Sequence, residues 1–152
     1  MPPTFNKQPI FTATPVLVTR NFQTGAFGAL NVNDVASNLP LTILQATATE
    51  GTLLERLTIR ALADVANLPT VSQKLVYIWV YTADYTAWSI YDVIQFASTS
   101  VTTTTPPPYA QLTFTGGLIL NADDKIAINQ STFGNNGDGL SVTLEGSTYT
   151  AA

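Results

Sequence analysis

Apolar residues recur at every second position in one run after another along this chain, and that period admits few folds. In GLSVTLEGSTY, 139–149, Leu140, Val142 and Leu144 alternate with Ser141, Thr143 and Glu145. In 52–63, Leu57, Ile59 and Ala61 fall on one side, with Arg56, Thr58 and Arg60 on the other. A period of two places one set on a core and the other against water or a partner, as in a half-buried β-strand. β-branched and aromatic residues dominate these runs, as strands prefer. The remaining runs are 9–20, LTILQATA at 41–48, 74–81, 88–96, 109–120 and 124–130, about eight in all.

Local signals refine the runs. Pro15 within 9–20 suits an edge strand or a bulge. Gly116-Gly117 inside 109–120 marks a bulge or bend. In 74–81, Leu75, Tyr77, Trp79 and Tyr81 share one side and Val76, Ile78 and Val80 the other, so this strand is expected to be covered on both faces. Trp88, Ile90, Ile94 and Phe96 are expected to line one side of the next strand, interrupted by Asp92. TADYTA at 82–87 connects the two, GNNGDG at 134–139 is a tight turn, and TTTTPPP at 102–108 reads as an extended, polyproline-like loop. Residues 1–8 read as an unpaired arm and 21–40 as a long loop with one helical turn around Asp34. No internal repeat is visible.

Many short strands without an amphipathic helix predict an all-β protein, an antiparallel β-sandwich of about eight strands, jelly-roll-like, with an extended N-terminal arm. The expected division is an arm and long loop over 1–40, partly packed on a sandwich domain over 41–152. The length of 152 residues suits one sizeable core.

The surface implied by the composition is unusual. Charged residues make up 11% of the chain, against about 25% in typical soluble domains. Thr, Ser, Asn and Gln replace them, and such groups cost far less to desolvate than ions. This fits a surface held against other protein, and equally a low-charge extracellular or thermally robust β-domain. The net charge is -4. Lys7, Arg20, Arg56, Arg60, Lys74 and Lys125 are scattered, so no basic run could neutralise a phosphate backbone, which argues against direct nucleic-acid binding. No apolar run approaches bilayer-spanning length, and MPPTFNKQPIF lacks the profile of a secretion signal, so no membrane partner and synthesis in a cytosol are expected.

Without histidine or cysteine, the commonest general base and the best nucleophile are missing, and no thiolate metal site can form. Glu50, Glu55, Glu145, Asp84 and Asp92 could supply a glycosidase-like carboxylate pair, but no spacing joins any two of them. NADD at 121–124 and NNGDG at 135–139 do not match a calcium loop, and Asp and Asn are ordinary turn residues. The chain is expected to have no catalytic residue, metal or cofactor. The segment 74–96 holds both tryptophans and four of the six tyrosines. Those rings can fill a core, form a protein interface, or stack on sugars.

Four stretches carry a resemblance: GTLLERLTIRALAD (51–64), KLVYIWVYTADYTAW (74–88), GLILNADDKIAINQST (117–132) and GLSVTLEGSTY (139–149). In this order they resemble a family of small β-sandwich structural proteins of tailed bacteriophages, the capsid decoration, auxiliary and head-fibre proteins. Gly51-Thr52 opens an alternating strand that ends near Ala61, Lys74 opens the aromatic strand, and Val142 to Tyr149 closes the pattern. The resemblance covers about residues 50–149. Thr82-Ala83-Asp84 stands where the family has an Asp-Gly turn, and the turn before the seventh strand lacks its glycine.

The resemblance implies a non-enzymatic virion structural protein, made in the host cytoplasm. Its partners would be the major capsid protein or other virion proteins, with homo-oligomer formation. The expected interface residues are Phe5, Pro9, Phe22, Phe27, Tyr77, Trp79, Tyr81 and Trp88, with the arm 1–8 and the loop 21–40 reaching a neighbour. The alternative is a carbohydrate-binding or adhesive module, with Trp79, Trp88 and Tyr85 as stacking rings.

Overall fold

The computed structural model describes residues 11–22, 40–47, 51–62, 70–71, 73–102, 104–131 and 139–151. Among the described residues ten strands are formed: β1 Phe11–Phe22, β2 Leu41–Gln45, β3 Gly51–Leu62, β4 Thr70–Val71, β5 Lys74–Thr82, β6 Ala87–Phe96, β7 Thr99–Ser100, β8 Tyr109–Leu120, β9 Lys125–Gln130 and β10 Gly139–Ala151. The eight long ones coincide with the eight alternating runs. The short pair β4 and β7 has too few residues to show a period.

Their pairing is nested. β1 pairs with β10, β2 with β9, β3 with β8, β4 with β7 and β5 with β6, each antiparallel. The chain is thus one long folded hairpin rolled up on itself. Two further ladders, β10 to β3 and β9 to β5, join the pairs into sheets. One sheet has the order β1-β10-β3-β8 and the other β2-β9-β5-β6. This is a jelly-roll sandwich. β1 lies within the segment expected as arm and loop, yet it pairs with β10 along its whole length, from Phe11 opposite Ala151 to Phe22 opposite Leu140. It is an edge strand, so Pro15 interrupts no inner ladder.

The core lies between the sheets. Leu57, Ile59 and Ala61 of β3 meet Leu140, Val142 and Leu144 of β10, with Val76 and Ile78 of β5 and Ile126 and Ile128 of β9 from the other sheet, all fully buried. The Val76, Ile78 and Val80 side of β5 is therefore the core side. At the edge Arg20 Nε donates to the Ile43 carbonyl at 2.8 Å, tying β1 to β2 across the two sheets.

Bulges decide which side chains reach this core. Gly116 and Gly117 have φ of 76° and 82°, and the register steps from Leu54–Leu118 to Arg56–Thr113. An added Cβ at Gly117 would overlap Leu53. Phe114 follows Leu112 on the core side of β8 by alternation, and its ring meets Tyr91 of β6 edge-on at 5.4 Å. In β6 the register steps from Ile78–Asp92 to Trp79–Ile90, leaving Tyr91 unpaired. Ile94 and Phe96 therefore face the core, while Trp88 and Ile90 face outward. The single apolar side expected from Trp88 to Phe96 is corrected: one extra residue reverses the side of every position beyond it.

The turns are held by side chains. Asp124 Oδ1 accepts from Ala83 N at 2.8 Å and Oδ2 from Asn121 N at 2.9 Å, while its carbonyl accepts from Ala46 N at 2.9 Å. The buried carboxylate of Asp124 thus joins the β5–β6 turn to the β8–β9 turn, and its backbone carbonyl adds the end of β2. Within TTTTPPP, Thr102 N donates to the Thr105 carbonyl at 3.0 Å and Thr102 Oγ1 accepts from Thr104 N and Thr105 N. The threonines close a turn in place of the expected extended loop, because the Thr102 hydroxyl satisfies two amides locally. The predicted arm at 1–8, the helical turn near Asp34 and the GNNGDG turn up to residue 138 lie outside the described residues.

Replacing fully buried Ile59 with Ala is expected to cost about 2–5 kcal/mol in denaturant unfolding. Exposed Gln95→Ala should stay within about 0.5 kcal/mol. Similar small losses for both would contradict the assignment of the β3 core side.

Candidate interaction surfaces

Each sheet turns one side to the core and one outward, and the two outward faces differ. On the β2-β9-β5-β6 sheet, cross-strand register aligns Thr42, Ala127, Trp79 and Ile90 in one row and Gln45, Lys125, Tyr81 and Trp88 in the next. Lys125 Nζ lies 5.2 Å from the Tyr81 ring centre, and the Tyr81 and Trp88 rings are 5.1 Å apart at 49°. Trp79 is only 3% exposed and Ala127 and Asn129 are buried, although all three stand on the side opposite the core. On its outer side β5 is thus covered at Trp79, while Leu75, Tyr77 and Tyr81 stay half-buried. Trp79 Nε1 has no hydrogen-bond partner among the described residues.

The structure places the expected interface residues unequally. Tyr77, Trp79, Tyr81 and Trp88 share this outer face. Phe22 is half-buried and packs against the core. Phe5, Pro9 and Phe27 lie outside the described residues. As a sugar platform Trp79 is corrected, because a sealed ring offers no face for stacking. That leaves exposed Tyr85 and half-buried Trp88, whose ring already packs on Tyr81.

The outer face of the β1-β10-β3-β8 sheet is open. Register sets its side chains in rows across the four strands: Asn21, Ser141, Arg60, Tyr109; Thr19, Thr143, Thr58, Gln111; Leu17, Glu145, Arg56, Thr113; and Pro15, Ser147, Leu53, Ile119. None of these is buried. Leu17 is 69% exposed, Ile119 66% and Tyr109 64%. Gln111 Nε2 donates to Thr58 Oγ1 at 3.2 Å, and the Arg60 guanidinium lies 5.5 Å from the Tyr109 ring centre. In the middle row Arg56 Nε donates to Glu145, and a shallow depression is lined by Glu55, Arg56, Thr113 and Glu145. The sequence shows that Arg56, Thr58, Arg60, Thr143 and Glu145 point outward, but not that β3 lies beside β10. That contact spans the chain, so the surface could not be assembled from local pattern.

The hydrogen bond from Arg56 holds the Glu145 carboxyl below its ordinary range, opposed by partial desolvation and aided by the guanidinium charge; the same bond raises Arg56. The NADD segment uses both Asp124 oxygens for backbone N–H groups. Among the described residues there is no cluster of three or more metal-ligating side chains.

No protein-family model matches the sequence, and no curated protein matches it. Solved structures with a similar arrangement include a chain from the acidic stable capsid of Helicobacter pylori bacteriophage KHP30. It is 10% identical, covers 94% of this chain and 100% of that one, and has a TM-score of 0.46. The Eiger TNF of S. frugiperda is 14% identical over 95% and 94% of the two chains, with a TM-score of 0.43. Desmodium yellow mottle tymovirus gives 11% identity over 100% and 94%, with a TM-score of 0.42. Likeness of this degree concerns general strand arrangement and says nothing of function.

Two outcomes follow. The stabilising effect of the Arg56–Glu145 pair is present above the ordinary carboxyl value of 4.5 and is lost as pH falls through the lowered value of the folded state. The difference in melting temperature between wild type and Glu145→Gln should therefore shrink in acid, and also in high salt; a difference that grows on acidification would refute the pairing. In acrylamide quenching, a Trp88→Phe variant, which leaves Trp79 as its single indole, should be strongly shielded. Free quenching would show Trp79 exposed.

Proposed function

We propose that this chain is a non-enzymatic structural subunit of a virus particle that acts by protein–protein contact. Following its sequence resemblance, we assign it as a capsid decoration or auxiliary protein of a bacteriophage. Its partners are the major capsid protein or other virion proteins, and it resides in the virion after synthesis in the host cytoplasm.

The observation that carries this reading is the open face of the β1-β10-β3-β8 sheet. Hydroxyl and amide side chains cover most of it, and its ion pair is already formed within one subunit. Large apolar side chains are exposed on it at Leu17, Tyr109 and Ile119. Such a face loses little when water is removed, and its apolar groups gain by burial. Its side chains stand on paired strands whose backbone is ordered before contact, which lowers the entropic cost of docking.

Mass spectrometry of purified virions of the encoding virus is expected to find the chain in whole-number ratio to the shell protein. Intact particles lacking it would refute the assignment, as would a soluble chain that binds glycans strongly and Trp88→Ala that does not.

A further inference from the structure

We propose that the open face of the β1-β10-β3-β8 sheet is a self-association face, and that its occupant is the same face of a second copy. This rests on the reading above only in naming the partner for protein contact. β10 and β3 are the two central strands of the sheet. Consider a two-fold axis between them, lying in the contact plane and parallel to the strands. It sets each β10 over the other copy's β3, and each β1 over the other copy's β8. Every row then meets itself in reverse, as an isologous contact requires.

The register gives this reversal its chemistry. In the middle row Glu145 and Arg56 are directly opposite partners on β10 and β3, so each Glu145 faces the second copy's Arg56 and each Arg56 its Glu145. Two intramolecular pairs become a four-membered alternating network. In the same row Leu17 faces Thr113 of the second copy, which lines the shallow depression. Pro15 faces Ile119, Thr143 faces Thr58, and Tyr149 faces Gly51, a large side chain against none.

An axis running across the strands through the middle row is excluded by charge. It would set Arg56 on Arg56 and Glu145 on Glu145, and like charges in contact are unfavourable. Packed sheets are rotated by about 30°, which displaces the outer rows most and the middle row least, and the middle row holds the charges. The face spans about 19 Å by about 27 Å, from strand spacing and rise. Side-chain relief brings that towards the roughly 800 Å² per partner of a standard interface.

The test is sedimentation velocity of the full-length chain across a concentration series, with circular dichroism and thermal melts to confirm folding. Wild type should form a dimer, or an assembly built from dimers. Arg56→Glu sets carboxylates together within and across copies and should weaken the dimer by roughly 100-fold. The double variant Arg56→Glu with Glu145→Arg regenerates both sets of contacts and should restore it. Leu17→Lys, at a side chain 69% exposed and so outside the fold's core, should also give monomer.

A wild type that stays monomeric or forms an odd-numbered oligomer overturns the proposal. So does dimerisation unchanged in Arg56→Glu and Leu17→Lys, or a folded double variant that stays monomeric. A monomer found in virions removes self-association and leaves the virion role standing. A dimer from a chain absent from virions does the reverse.

Discussion

Backbone pairing between residues far apart in sequence is what the rest of this structure depends on. Each strand finds its partner at the mirrored position of the chain, so the outermost pair, β1 with β10, joins Phe11 to Ala151. Only the β5–β6 ladder closes locally. Long-range pairing of this kind forms late, because loop closure must precede the contacts that reward it. It also places β10, β3, β9 and β5 between neighbours, leaving four edges in the two large sheets. β1 carries Pro15, β8 carries the Gly116-Gly117 bulge, β2 has five residues and β6 is bulged at Tyr91. These features blunt the edges against adding strands from other chains, so the broad outer face is left as the surface for specific contact.

The two outer faces have divided roles. On the β2-β9-β5-β6 sheet, Trp79, Ala127 and Asn129 are withdrawn from solvent and the Lys125, Tyr81 and Trp88 side chains stack on one another. On the β1-β10-β3-β8 sheet, threonine, serine and amide side chains stand open with Leu17, Tyr109 and Ile119. The low charge of the chain has its meaning here. With 11% charged residues, a four-stranded face can present one ion pair at its centre, with Glu55 and Arg60 as further charges, among groups that lose little on dehydration. The aromatic segment contributes Trp79 to the covered centre of the β2-β9-β5-β6 layer, while Ile90 and Val93 of β6 stay exposed on it.

The resemblance to phage structural proteins and the jelly-roll topology agree on a scaffold. The topology alone is shared by proteins of unrelated roles. The proposed assembly role therefore rests on a set of side chains: Arg56 and Glu145 in register at the middle of the open face, and apolar residues towards its edges. Their order depends on which strand lies beside which, and a sandwich with the same strands in another order would scatter them.

The sequence by itself determined the eight long strands and the inward side of β3 and β10, because a period of two is a local property of consecutive residues. It also placed a bulge or bend at Gly116-Gly117, because only glycine enters positive φ readily, and limited β1 to an edge or a bulge, because Pro15 cannot donate to a ladder. The tertiary structure alone decided the reversal of sides within β6, where one unpaired residue at Tyr91 moves Trp88 and Ile90 outward. It decided the alignment of Arg56 with Glu145. Each of these depends on a partner distant in the chain or on one extra residue in a ladder, and neither leaves a periodic trace in the residues themselves.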